Sequence, residues 1–341
     1  MVLGWLCVMG MQGCGLFDLI DDDLSVCGQD MVLELRLELE TSLDLELETV
    51  LSAETDLYTR TLLHDYFSHI FTERPHDISV GFFSADADTV VETIYDASDT
   101  IQRTYTFFLK KNNYYAIALA NKEGNEVLTL TDSTDSRLAR LETLPIDTLP
   151  PQRTGIFSVT REIEVQDSTS QRIDLTLHLT NTACALVIDT ADVSCTAIRA
   201  LLCGTAETLY LRDSLYMFEH PKIVRMEAIE PAKQTNGPLR ICQYVNEESP
   251  VPVLLGCVSL PSADEPDGVG VYYTAKVYVT MPDGKVTETV LSVQQPLRAG
   301  QLKVLRLQLQ PDGEVKPIAA PEVGATVTLD WKDGGEHNVE L

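Results

Sequence analysis

Histidine and carboxylate side chains are the groups through which this chain could carry out catalysis. No pair of its histidines has the HExxH or any other metal-binding spacing; the six are His64, His69, His76, His178, His220 and His337. The sequence also lacks a GxSxG nucleophile elbow, a phosphate-binding GxxxxGK loop and a GxGxxG loop. A glycosidase can take its two carboxylates from distant strands, so the abundance of 52 acidic residues does not by itself indicate one. We therefore expect a protein that is not an enzyme and that has no metal site and no small-molecule cofactor.

Cys14 suggests a different chemistry, the covalent attachment of lipid. Residues 2–11 form an apolar run that is too short to cross a bilayer as a stable helix, and Gly13 and Cys14 follow it closely. This arrangement resembles a lipoprotein signal, whose removal leaves a diacylglyceryl-cysteine at the new N-terminus. Two features depart from that pattern: no Lys or Arg precedes the apolar run, and Met11 stands where Leu is more usual. The alternative is an ordinary cleaved signal with Cys14 lost or free. We expect residues 1–13 to be the signal peptide and Cys14 to anchor the chain in the outer membrane.

The residues after Cys14 are acidic and predict a solvated tether over residues 14–28. The acidic side chains are Asp18, Asp21, Asp22 and Asp23. Surface lipoproteins of Bacteroidota carry acidic residues at this place, and the resemblance implies export to the outer leaflet. The alternative is a solvated tether that does not act as an export signal.

Six further cysteines show no CxxC and no Cys/His ligand spacing; they are Cys27, Cys184, Cys195, Cys203, Cys242 and Cys257. An envelope location would permit disulfides. Cys184 and Cys242 lie in apolar, strand-like runs, where free cysteine is commonly a small buried hydrophobic residue. We expect no disulfide or one.

The charge balance limits the possible partners. The formal net charge is −27, from 52 acidic and 25 basic residues, and such a surface repels nucleic acids and anionic lipid headgroups. Hydrophobic residues make up 44% of the chain, which is enough to build a packed core. We therefore expect a folded protein that binds no nucleic acid.

An alternating stretch at residues 31–50 is the strongest pattern in the chain. Charged residues separate the leucines almost throughout; the leucines are Leu33, Leu35, Leu37, Leu39, Leu43, Leu45 and Leu47. Successive side chains of a strand point to opposite faces, so all these leucines would lie on one face. Leu and Glu also favour helix, but a helix would scatter the leucines around its axis. We predict a half-buried first strand that needs a partner sheet.

The remaining pattern predicts many short strands and one helix. Residues 52–71 show helical spacing of apolar residues, with Ser52 or Thr55 as the N-cap. Alternating runs separated by turn residues come before and after a loop that contains Pro145, Pro150 and Pro151. We predict a mainly β chain of two β-sandwich domains in series, residues 29–150 with a crossover helix and residues 151–341.

Several runs resemble the fimbrillin-associated anchor family of Bacteroidota, the FimB-like anchors of minor and major fimbriae. The runs are CGQDMVLELRLELETSLDLELET, FSHIFTERPHDISVGFF, ACALVID, VTETVLSVQQPLRAGQLKVL and VTLDWKDGGEHNVEL. Their order extends over nearly the whole chain after the signal, although none of them is a catalytic motif. The resemblance implies two transthyretin-like or immunoglobulin-like sandwiches, a lipidated cysteine and a place at the base of a surface fimbrium.

The resemblance also assigns a role to the first strand. Stalk subunits of this class lose their first strand to an Arg-specific protease, and a strand from the neighbouring subunit fills the groove. An anchor that keeps its strand has no vacant groove, so it would end polymerisation and limit fibre length. Arg36 and Arg60 are the candidate cleavage sites, and we expect neither to be cut.

The expected partner is a fimbrillin stalk subunit, bound through a donated C-terminal strand. Candidate donor residues are Leu302, Val304, Leu307, Leu309, Val339 and Leu341. Ordinary pairing within the second domain is the alternative for these residues. The alternative function is a surface lipoprotein that binds glycans for a nutrient-uptake system, but such modules stack sugars on aromatic side chains, and Trp331 is the only tryptophan after the signal.

Overall fold

The computed structural model of the chain describes residues 30–39, 57–71, 75–97, 104–166, 170–190, 193–230, 252–318 and 329–330. Strands predominate in these residues, and their only helix is α1 (Leu57–Ile70). The predicted mainly β fold class with two sandwiches is confirmed. Across the same ranges, no helix is both long and apolar enough to cross a lipid bilayer.

The first sandwich is a seven-stranded sheet that folds back on itself. Its strands, in spatial order, are β3 (Val90–Asp96), β2 (Ile78–Ser84), β5 (Asn113–Ala120), β9 (Phe157–Glu164), β10 (Ser170–Leu179), β1 (Asp30–Leu39) and β4 (Thr104–Lys110). β9 and β10 pair only at Ser158–His178 and Phe157–Leu179, so the sheet bends there into two layers. The Tyr105 hydroxyl of β4 donates to Oδ2 of Asp96 in β3 at 2.6 Å. The two ends of the strand order therefore meet.

The second sandwich is built in the same way from a ten-stranded sheet. Its spatial order is β20 (Val315–Pro317), β19 (Leu302–Leu309), β11 (Thr182–Asp189), β16 (Val253–Ser259), β15 (Lys222–Ala228), β12 (Ala197–Thr205), β17 (Tyr273–Thr280), β18 (Val286–Val293) and β21 (Leu329–Asp330), with β8 (Thr148–Leu149) beside β15. The backbone N–H of Val315 in β20 donates to Oγ1 of Thr289 in β18 at 3.2 Å. Strands near opposite ends of the order are thus in contact.

A small third sheet packs beside the two sandwiches. Its strands are β14 (Leu215–Met217), β13 (Thr208–Tyr210), β7 (Arg140–Thr143) and β6 (Leu128–Thr131). Leu141 and Leu209 of this sheet are buried in one apolar cluster with Ile117 of β5. The small sheet is therefore attached to the first sandwich by a shared core.

Strand pairing crosses the boundary that the prolines predict. β9 and β10 follow residue 151, yet β9 pairs with β5 and β10 pairs with β1. β8 already pairs with β15 of the second sheet, and the chain leaves the first sheet for the last time at Thr180 and Asn181, between β10 and β11. A proline loop shows where regular structure stops, whereas sheet membership depends on hydrogen bonds between strands far apart in sequence. The domain boundary predicted after residue 150 stays a prediction.

Helix α1 lies against both sandwiches. Its buried residues Leu62, Leu63 and Phe67 belong to one apolar cluster with Leu33 of β1 and Ala185 of β11. The helical spacing predicted over residues 52–71 matches this face, because apolar residues three and four apart share one side of a helix. The predicted cap residues Ser52 and Thr55 lie outside the described residues.

Candidate functional site

Strand β1 lies between two other strands in the first sandwich. It pairs with β10 in parallel over eight positions, from Val32–Ser170 to Leu39–Leu177. On its other side it pairs with β4 in antiparallel orientation over seven positions, from Asp30–Lys110 to Arg36–Thr104. Among the described strands, β4 is at the end of the order, and β10 has two further pairs, with β9. The three-stranded layer is therefore held together by β1.

The side chains of β1 divide between core and solvent. Leu33 and Leu35 are completely buried, while Glu34 is exposed and Arg36 is half-buried. Full burial of a leucine contributes roughly 1.5–3 kcal/mol relative to an exposed one. Without β1, the first sandwich would lose these two core residues and expose unpaired backbone groups on both β10 and β4.

The other residues predicted for the site are only partly described. Leu37 and Leu39 lie in β1. Leu43, Leu45 and Leu47 fall outside the described residues, as do the predicted lipid site Cys14 and the tether residues Asp18, Asp21, Asp22 and Asp23.

The candidate donor residues near the C-terminus are part of the second sandwich. Leu302, Val304, Leu307 and Leu309 lie in β19, which pairs in parallel with β11 and in antiparallel orientation with β20. Three of these side chains are buried and Val304 is partly buried. A donor role for β19 would require its separation from β11, and it stays a prediction; Val339 and Leu341 fall outside the described residues.

Sequence reasoning missed a buried polar junction where the chain passes from one sandwich to the other. Oδ1 of Asn181 accepts a hydrogen bond from the backbone N–H of Ile156 at 2.6 Å, and its Nδ2 donates to Oε1 of Gln152. The Tyr216 hydroxyl donates to the carbonyl of Thr180 at 2.8 Å. Asn181 is completely buried, so these bonds replace those that it would make with water. In the sequence, the only local signal is that Thr180 and Asn181 form a polar pair between two apolar runs. This pattern does not identify the distant partners of the pair.

A second missed cluster surrounds the buried carboxylate of Asp88. Its Oδ1 is 2.7 Å from Nη1 of Arg212, and its Oδ2 is 2.6 Å from Nη2 of Arg137. The Arg212 guanidinium also lies 4.1 Å from the centre of the Tyr115 ring, a cation–π contact. Two arginines compensate this buried carboxylate, and the cluster ties the first sandwich to the 211–214 turn.

A polar groove of about 380 Å³ opens where β9 and β10 diverge. Nη1 of Arg161 donates to the carbonyl of Asp174 at 2.7 Å, and Nε2 of Gln171 donates to the carbonyl of Glu164 at 3.0 Å. These side chains cross the opening between β9 and β10 and bond backbone carbonyls on its other side. The groove is lined by charged, amide and isoleucine side chains with no aromatic ring, so it offers no stacking surface for a sugar. In the described part of the chain, no three His, Cys, Asp or Glu residues are arranged to hold a metal ion.

Comparison with solved structures shows the fold. A candidate adhesin from Bacteroides ovatus superposes with a TM-score of 0.52 at 8% identity, covering 89% of this chain and 96% of that one. A second candidate adhesin from the same species gives 0.51 at 10% identity, covering 93% and 100%. The fimbrial anchor protein Mfa2 from Porphyromonas gingivalis gives 0.48 at 13% identity, covering 89% and 100%. No family model and no curated protein matches the chain by sequence.

Proposed function

We propose that this chain is an outer-membrane lipoprotein that anchors a surface fimbrium at its base and ends subunit polymerisation. In this proposal, Cys14 carries the lipid and the acidic tether directs the chain to the cell surface. A fimbrillin stalk subunit binds through a strand. The observation that carries the proposal is the position of β1, which is paired on both sides within its own sandwich. The fold shared with the candidate adhesins from Bacteroides ovatus supports a role at the cell surface.

β1 and a strand from another subunit would compete for one position in the first sheet. A sandwich that lacks a strand exposes backbone donors and acceptors beside an apolar groove, and an extended segment of another chain can fill it. β1 fills this position from within the same chain, so its effective concentration far exceeds that of any separate partner. A chain that retains β1 therefore cannot accept a further subunit at this place, and the fibre ends there.

The candidate cleavage sites support retention of the strand. Arg36 lies inside β1, opposite Asp174 of β10 and Thr104 of β4. Arg60 lies in helix α1. A protease needs an extended and accessible backbone, so cleavage at Arg36 requires the strand to leave the sheet first and cleavage at Arg60 requires the helix to unwind.

The intact mass of the protein extracted from membranes tests retention of the strand. We expect the mass of a chain that begins at Cys14 and carries acyl groups. A mature chain that begins after Arg36 or Arg60 would refute the proposal.

A peptide-exchange experiment tests the closed position directly. A labelled peptide of residues 30–39 should not bind to the intact chain, and it should bind when Leu33→Asp and Leu35→Asp together weaken the resident strand. The matched control is Glu34→Gln, because Glu34 is exposed and its substitution leaves the apolar face unchanged. Uptake of the peptide by the unmodified chain would contradict the proposal.

The anchoring role has its own test. Cys14→Ala should abolish metabolic labelling with a fatty acid, and a strain that lacks the whole gene should produce long or shed fibres in electron micrographs. Labelling that survives Cys14→Ala would exclude this lipid site, and attached fibres of normal length in the deletion strain would exclude the anchor.

A further inference from the structure

Two cysteines face each other across neighbouring strands of the second sandwich. Cys184 in β11 lies directly opposite Cys257 in β16 in the antiparallel register. Residues paired in this way have Cα atoms about 4.5–5.5 Å apart, within the roughly 4.4–6.8 Å that disulfides bridge. Cys203 in β12 instead faces Ile223 and Thr274, and Cys195 lies outside the strands. Among the described cysteines, one pair is therefore placed to form a bridge.

The surroundings of these sulfur atoms determine when a bridge could form. Both side chains are buried in the core of the second sandwich. Burial raises the pKa of Cys184 to about 12, against an opposing effect of Lys303, and raises the pKa of Cys257 well above its usual range. The thiolate is the reactive form of cysteine, so these thiols are inert once the sandwich has closed. A bridge must form while β11 and β16 are still accessible to an oxidant, during folding.

We propose that Cys184 and Cys257 form a disulfide across β11 and β16 when the chain folds in an oxidising compartment. The oxidant is the disulfide of a protein thiol oxidoreductase. The thiolate of one cysteine attacks this disulfide, forms a mixed disulfide and releases one thiol of the oxidant. The second cysteine then attacks the sulfur of the first and expels the oxidant's other thiol. Two protein thiols lose two electrons and two protons, and the oxidant's disulfide becomes a dithiol.

The bridge would join residues that are far apart in the chain. Cys184 and Cys257 are 73 positions apart, and β12 to β15 lie between them. Closing so long a loop restricts the unfolded chain, so reduction should lower the melting temperature of the second sandwich. The inference is independent of the proposed anchor function, because it rests on strand register and burial alone.

Differential thiol labelling tests the bridge in the full chain isolated from an oxidising compartment. The chain is denatured with iodoacetamide present and reductant absent, then reduced and labelled with N-ethylmaleimide, and its peptides are analysed by mass spectrometry. We expect N-ethylmaleimide on Cys184 and Cys257 and carbamidomethyl groups on Cys195 and Cys203. Carbamidomethyl groups on Cys184 and Cys257 in most molecules would overturn the proposal, and this result needs no variant.

A variant tests the pairing itself. In Cys257→Ala, Cys184 has lost its partner and should carry the carbamidomethyl group. The matched control Cys195→Ala should leave N-ethylmaleimide on both members of the pair. If Cys184 still carries N-ethylmaleimide in Cys257→Ala, it is bonded to another cysteine and the proposed pairing is wrong.

Discussion

The ring of Phe82 in β2 packs edge-on against the ring of Phe107 in β4, with the centroids 4.7 Å apart and the planes at 66°. The two strands are second and seventh in the order of the first sheet. Their contact exists only because the sheet folds over at β9 and β10. Aromatic pairs in this geometry contribute about 0.5–1.5 kcal/mol beyond the burial of their area. The Phe82–Phe107 pair therefore joins the layer that contains β1 to the opposite layer.

Truncation of this contact should destabilise the first sandwich. Phe107→Ala removes a buried ring, and the resulting cavity is expected to cost about 3–5 kcal/mol in the free energy of unfolding, measured by urea denaturation. The matched control is Phe108→Ala, one residue along the same strand, because Phe108 is 66% exposed. Equal losses for the two variants would contradict the packing described above.

Gly155 is packed so closely that an added Cβ would force its neighbours to move. A Cβ atom at this position would come within 2.7 Å of Cδ1 of Phe71 and 2.9 Å of Cδ1 of Leu179. Gly155→Ala should therefore lower the free energy of unfolding by about 1–3 kcal/mol, the usual cost of overpacking. Gly268→Ala is the control, since a Cβ there meets nothing within 4 Å. Thermal unfolding of both variants measures the difference, and an unchanged melting temperature for Gly155→Ala would refute the prediction.

The buried junction at Asn181 should be sensitive to loss of its amide. Asn181→Ala removes the partner of the backbone N–H of Ile156 and the partner that Asn181 gives to Oε1 of Gln152. Each buried polar group left unpaired costs about 1–3 kcal/mol, so chemical denaturation should show a loss of at least that size. Asn113→Ala is the control, because Asn113 is exposed at the start of β5. A loss no greater than that of the control would show that the junction does not need the amide.

Ionisation of Tyr66 should lower the stability of the chain at alkaline pH. Burial, with smaller effects from Glu227 and Cys257, raises the pKa of Tyr66 to about 12, against an opposing effect of Arg153. Below about pH 10 the phenol is neutral in both folded and unfolded chains. As the pH rises from 10 towards 12, the unfolded chain ionises first, so the free energy of unfolding falls.

Tyr66→Phe removes this ionisation and serves as the test. The Tyr66 hydroxyl is buried without a hydrogen-bond partner among the described residues, so the variant should be as stable as the original chain at pH 7. Between pH 10 and 12 it should lose less stability than the original chain in urea denaturation. Parallel losses for the two chains over that interval would show that Tyr66 does not contribute.

Patterns within a single element were readable from the residues alone. Alternation of leucine and charge predicts β1, and its Leu33 and Glu34 lie on opposite sides of the sheet, one buried and one exposed. Helical spacing predicts a helix over residues 52–71, and α1 lies within that range at Leu57–Ile70. These features depend on the local period of side-chain direction, which neighbouring residues set.

Partners across the chain were decided only by the tertiary structure. β12 has no regular alternation of apolar and polar residues, yet it pairs on both sides, with β15 and β17 of the second sandwich. β9 and β10 come after the prolines and still belong with β5 and β1. Backbone hydrogen bonds between strands do not depend on which residues the strands contain. The neighbours of a strand are therefore set by the arrangement that buries all the apolar faces together. The same holds for Asn181 and for the facing Cys184 and Cys257, whose partners lie far away in sequence and come close only when the sheets close.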